Sequence, residues 1–241
     1  MGFMVDLGQW FIDNWSGNAG WVNRIWEHVQ VSGAAVIAAA VIAIPIAAWL
    51  GHTGRGGTLA VSIVNIGRAI PSFGIIAIAL PITIELANRA PFISSGLGFL
   101  PTFIALFALA LPPIFTNTYT GVRTVDADTV EAARGMGITE RRILWEVELP
   151  IASPVVLAGL RTSAVQVVAT ATLGALVAYG GLGRYIIDGF AQRDNTEIVA
   201  GALLVALLSI ATEAGFSLLE RRVVPRGIGR PSDEDAPVPA S

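Results

Sequence analysis

From Val29 to Leu50 the chain carries 22 residues in succession without a charged side chain. As a helix rising 1.5 Å per residue, such a run spans about 33 Å, enough to cross the hydrocarbon core of a bilayer. Four more apolar stretches follow, at about Thr58–Ile84, Gly98–Gly121, Pro150–Tyr179 and Ile198–Leu219. Charges inside them are sparse: Arg68 in the second, Arg161 in the fourth and Glu213 in the fifth. Of the 241 residues 54% are hydrophobic and only 14% charged, against roughly a quarter charged in soluble domains. The expected fold class is therefore all-α integral membrane, with about five transmembrane helices.

The residue inventory excludes several functions. There is no cysteine, and His28 and His52 are the two histidines. Disulfides and thiolate ligands are ruled out, and no metal site is expected. All fifteen basic residues are arginine, so a Walker A loop, which needs a lysine at the nucleotide phosphates, cannot form. No GxGxxG run, nucleophilic triad or carboxylate pair stands out. The chain is expected not to be an enzyme, to need no cofactor and, at a net charge of −3, to bind no nucleic acid.

Residues 1–26 lack the basic start and small-residue cleavage site of a secretory signal. They hold Trp10, Trp15, Trp21 and Trp26, and indole favours the headgroup level of a membrane. The expected organisation is an interfacial segment over 1–27, a transmembrane domain over 28–225 and a disordered, acidic, proline-rich cytoplasmic tail over 226–241. A small packed hairpin is the alternative for the first segment. Arginine distribution gives the orientation. With the amino terminus outside and the carboxyl terminus inside, the cytoplasmic side holds Arg55, Arg123, Arg134, Arg141, Arg142, Arg221, Arg222, Arg226 and Arg230. The outer side then holds only Arg24, Arg89, Arg184 and Arg193, in keeping with the positive-inside bias.

The charged block 123–149 is too long for a tight turn and too polar to span. Its pattern predicts two short helices, the first capped by Asp128 with Glu131 three residues on, the second capped by Thr139. Gly135 and Gly137 would interrupt the first, and Pro150 would open the fourth membrane helix.

Within that block Glu131-Ala132-Ala133, then Gly137, then Val147-Glu148-Leu149-Pro150 resemble the EAA loop of ABC-importer permeases. The match departs from the pattern only in valine for the commoner isoleucine. Weaker matches, Arg68–Ser72, Ala158–Thr162, Ala171–Gly174, Gly180–Gly183 and Leu219–Arg222 with Pro225–Gly227, resemble the osmoprotectant branch of these permeases. The resemblance implies the type I importer fold, a bacterial inner-membrane location and a path for quaternary amines such as glycine betaine, choline or carnitine. It further implies three partners: a separate ATPase subunit, a second permease, identical or paralogous, and an extracellular binding protein. Glu131, Ala132, Ala133 and Gly137, with Leu149 and Pro150, would couple to the ATPase, and Arg134, Arg141 and Arg142 could pair with its acidic groups. The same machine carrying methionine or a sulfonate is one alternative, and a secondary transporter or membrane scaffold is another.

Aromatic rings hold quaternary ammonium groups, which makes Phe73, Phe103, Phe107 and Tyr119 candidates for the path, with Phe115 also available. Helix packing is the plainer role for these rings. An intramembrane arginine requires a partner or water, so Arg68 and Arg161 either line the path or pair with a structural carboxylate such as Glu213.

Overall fold

The computed structural model describes residues 2–67, 70–90 and 95–223, apart from the side chain of Thr58. Arg68 and the tail 226–241 lie outside the described residues. Ten α-helices make up the described chain: α1 (Gly2–Asp13), α2 (Trp21–Thr53), α3 (Gly57–Ile66), α4 (Ser72–Arg89), α5 (Phe99–Arg123), α6 (Ala127–Gly135), α7 (Glu140–Ile143), α8 (Leu149–Thr170), α9 (Gly183–Gln192) and α10 (Asn195–Val223). One π turn, Leu144–Glu148, joins α7 to α8, and a 3₁₀ segment, Ala171–Val177, extends α8. Five helical stretches are long and apolar enough to cross a membrane: Trp21–Thr53, Ser72–Arg89, Phe99–Arg123, Glu140–Val177 and Asn195–Arg222.

The centre is made by small residues. Val31, Ala35, Ala39, Ala43 and Ala47 recur every fourth position and form one buried stripe on α2. Alanine lets backbones approach closely where lipid supplies no hydrophobic drive. Against the stripe lie Leu106, Ala110 and Ile114 of α5 and Ala164 and Val167 of α8. Gly159 allows a close α5–α8 approach: a Cβ there would sit 2.7 Å from the Asn117 Cβ and 2.9 Å from the Pro113 carbonyl oxygen. Despite Pro112 and Pro113, α5 runs on unbroken, and Ser163 of α8 donates to the Ala110 carbonyl beside them at 3.2 Å.

Two expectations about the spans change. The second stretch, 58–84, is divided into α3 and α4, with Pro71 extended at ψ 137° as the N-cap of α4. Proline removes a donor and disfavours helical geometry in the residue before it, which explains the break. Pro150 stands in the first turn of α8 as expected, but the chain does not leave helix before it; helical structure is continuous from Glu140. The Leu149 N–H bonds back to the Leu144 carbonyl, widening the ladder by one residue. A proline, having no N–H to satisfy, fits just after such a turn.

At the opposite end, α2 is fastened to the 178–183 turn. The Tyr179 hydroxyl donates to the Glu27 carbonyl at 2.6 Å, and the Glu27 carboxylate accepts from the Gly181 N–H at 2.7 Å. Buried His28 accepts from the Leu182 N–H through Nδ1 at 3.3 Å, which leaves Nε2–H to donate to the Val168 carbonyl at 2.8 Å. Gly183 packs so tightly that a Cβ would stand 2.1 Å from the Thr172 carbonyl oxygen. Gly180 and Gly181 are thus a docking point for α2, and Gly183 one for the 3₁₀ segment. Helix α2 itself begins at Trp21, so no element boundary falls at residue 27. Trp10 and Trp21 pack against Leu182, Tyr185 and Leu204, whereas Trp15 and Trp26 are exposed.

Candidate functional site

The charged block folds as a helical hairpin whose turn is set by backbone chemistry. Asp126, not Asp128, caps α6: its Oδ1 accepts from the Asp128 N–H at 3.1 Å. Asp128 instead lies in the first turn, where its charge favours the positive end of the helix dipole. At the other end Gly137 has φ +77°. Its N–H bonds the Arg134 carbonyl at 2.9 Å, and the Ile138 N–H bonds the Ala133 carbonyl at 3.2 Å. This pair of bonds around a left-handed residue is the Schellman arrangement, which glycine alone enters without a Cβ penalty. Thr139 stands at the start of α7 as expected, without a side-chain cap bond; its carbonyl accepts from Arg142 and Ile143 at 2.8 and 2.9 Å.

The hairpin has its own core. Val130, Ala133 and Ile143 are buried together, with Val125, Ile138 and Val147 packed around them. Ala133, 3% exposed, therefore faces inward, while Glu131 and Ala132 face outward. Beyond them Met136, 74% exposed, crowns the turn. Leu149 packs beside Ala48, Val122, Leu144, Ala152 and Val156, where the hairpin meets the membrane helices. Pro150 is exposed.

Charge ties the hairpin to itself and to α2. Arg134 grips Glu140 with two bonds, 2.7 and 3.0 Å, across the turn. Arg142 does the same to Glu146 at 2.9 Å. Two of the three arginines suggested for a partner's acids are thus engaged within the chain. His52, on the last turn of α2, bridges Glu148 through Nδ1 at 2.6 Å and Glu140 through Nε2 at 3.1 Å. Glu148 is 4% exposed and lies in the π turn. The His52 link could not be read from sequence, because 96 positions separate the two residues. The one available signal was a glutamate directly ahead of an apolar span.

Of the aromatic candidates, Phe103 and Phe107 are brought together and Phe73 and Tyr119 are not. Phe99, Phe103 and Phe107 stack along α5 at 5.8 and 6.1 Å between centroids, and Tyr179 meets Phe99 at 6.0 Å. Phe115 is buried in the core and Tyr119 packs against it from farther down α5. Phe73 is exposed on α4. Inside the membrane region Arg161 of α8 pairs with Glu213 of α10 and reaches Glu220 at 3.5 Å. Glu213 was the carboxylate suggested for Arg161; Glu220 was not. All three side chains are about two-fifths exposed.

Five spanning helices around a small-residue core, with a helical hairpin projecting between the third and fourth, are the permease fold of type I ABC importers. An inward-facing MetNI methionine ABC transporter structure superposes with a TM-score of 0.73 at 22% identity, covering 83% of this chain and 94% of that one. The chain belongs to the family of binding-protein-dependent transport system inner membrane components, whose model matches residues 32–225. Among its relatives, the choline transport system permease protein OpuBB of Bacillus subtilis is 34% identical over 207 residues, 86% of this chain and 90% of that protein. The carnitine transport permease protein OpuCB of Listeria monocytogenes is 36% identical over 205 residues, 85% and 88% of the two chains. The EAA pattern is typical of this family. Membership makes the chain an inner-membrane permease subunit rather than a catalytic one, and implies ATPase, binding-protein and second-permease partners.

Proposed function

We propose that this subunit forms, with a second permease, the path by which a quaternary-amine osmoprotectant such as glycine betaine, choline or carnitine enters the cell, driven by a separate ATPase subunit. The observation that carries the substrate class is the 34–36% identity to a choline and a carnitine permease over 85–86% of the chain. The methionine transporter, at 22% identity, speaks for the fold alone.

The build of the hairpin supports the coupling role of these residues. Glu131 and Ala132 with Met136 form its outer face, and small Ala132 permits close docking in a cleft of the ATPase. Ala133 and Gly137 act from within, by holding the turn. Closure of two ATPase subunits on ATP would carry the hairpins together, and His52–Glu148 would pass that displacement to α2. The Phe99–Phe103–Phe107 column gives α5 an aromatic face for a quaternary ammonium group; Phe73 and Tyr119 stand apart from it. Arg161 with Glu213 and Glu220 leaves one carboxylate in excess on a half-exposed face of α10. Such charge is costly against lipid, which supports a second permease or an aqueous path over that face. The arginine distribution supports a hairpin in the cytoplasm, the amino terminus outside and the exposed Trp15 and Trp26 at the outer surface.

Uptake of labelled glycine betaine, choline and carnitine by cells lacking this gene, and by the restored strain, tests the substrate class. Loss on deletion and recovery on restoration of at least one is expected. Unchanged uptake of all three in a strain without other carriers for them would overturn it.

A further inference from the structure

Between the last turn of α2 and the hairpin lies an open cleft of about 600 Å³, lined by Trp49, His52, Arg55, Arg134, Arg141 and Trp145, among others. Three arginines and one glutamate, Glu140, line it, so its guanidinium groups outnumber its carboxylates. The Glu140 charge is already taken up by Arg134 and His52. Among the described residues neither Arg55 nor Arg141 has a carboxylate partner. Two cations therefore face the cleft uncompensated.

The walls point to where their partner comes from. Trp49 is 59% exposed and Trp145 51% exposed, and indole side chains at the end of an apolar span mark the headgroup level. Ile42, Ile46 and Trp49 form an exposed stripe down the outside of α2 that runs into the cleft. An apolar track on the membrane face ending in two tryptophans and two free arginines matches one chemistry: acyl chains below, a phosphate above. We infer that the cleft binds the headgroup of an anionic phospholipid, with Arg55 and Arg141 on the phosphate and the acyl chains along Ile42 and Ile46. The inference rests on the cytoplasmic placement of the hairpin and is independent of the transported solute. The lipid would brace the coupling hairpin against α2, adding to the His52–Glu148 and His52–Glu140 links.

The test is native mass spectrometry of the assembled transporter, permeases with ATPase subunits, titrated separately with phosphatidylglycerol and phosphatidylcholine. Phosphatidylglycerol should be retained and phosphatidylcholine lost. Arg55→Gln and Arg141→Gln should each weaken phosphatidylglycerol retention roughly five-fold, the usual contribution of one basic residue at an anionic surface. Arg55 lies in the turn after α2, away from the outward face of the hairpin, so its variant keeps the reading independent of assembly with the ATPase. Equal retention of the two lipids, or retention unchanged in both variants, overturns the inference. Displacement of phosphatidylglycerol by millimolar inorganic phosphate identifies a free-anion site and overturns the lipid assignment. Retention by the isolated permease but not by the assembled transporter assigns the cleft to the ATPase interface and overturns it as well.

Discussion

Gly137 holds φ at +77°, and the two backbone bonds that close the hairpin turn depend on that angle. Replacing it with valine places a β-branched Cβ in the left-handed region, at a cost of about 1–2 kcal/mol. No heavy atom lies within 4 Å of a Cβ built there, so the damage comes from backbone strain rather than a clash. Gly137→Val should therefore insert into the membrane normally and lose transport, measured as solute moved per ATP hydrolysed. Transport at the wild-type rate would contradict the role given to the turn. His52 tests a different link. Its loss to alanine leaves buried Glu148 without its partner, which costs about 1–3 kcal/mol. His52→Ala should lower the thermal midpoint of the purified transporter, and Arg134→Ala, whose ion pair is exposed on both sides, should lower it less. A reversed order would show that the exposed pair, not the buried one, holds the hairpin.

Among the elements, the α2–α5–α8 core stands on small residues. Gly159→Leu would drive a side chain into the Pro113–Asn117 stretch of α5, with an expected loss of about 1–3 kcal/mol. Reduced thermal stability in detergent is the readout; an unchanged midpoint would mean that α5 and α8 adjust without cost. The same elements show what sequence can and cannot say. Val29–Leu50 was legible as a span because a charge-free run of that length has few other fates. The hairpin was legible because Glu131–Gly137 and Leu149-Pro150 are local patterns. Asp126 was missed in favour of Asp128 because the two stand two residues apart at the start of the same helix, and only the backbone decides which of them lies outside it. The continuous helix through Pro150 was missed because a π turn has no simple residue signature. His52–Glu148, Glu27–Gly181 and Arg161–Glu220 join distant positions, so packing alone brings them together. Of the aromatic candidates, Phe103 and Phe107 lie four residues apart and stack on one face of α5, whereas the placing of Phe73 and Tyr119 depends on interhelix geometry that spacing does not carry.

At the scale of the molecule, orientation is the most exposed expectation. The chain contains no cysteine, so single cysteines can be introduced against a silent background. Met136→Cys should react with a membrane-impermeant thiol reagent only from the cytoplasmic side, and Ser16→Cys only from outside. The opposite pattern would invert the topology and separate the hairpin from any cytoplasmic ATPase. The central claim, that this permease admits a quaternary amine at the expense of ATP, is met most directly in vesicles. The chain would be reconstituted with its second permease and ATPase subunit, binding protein added outside and ATP enclosed, and uptake of labelled choline, glycine betaine and carnitine followed. Accumulation of at least one solute that stops without ATP, and falls with Gly137→Val, is the predicted result. Uptake that proceeds equally without ATP, or ATP-driven uptake of methionine with none of the three amines, would contradict the account.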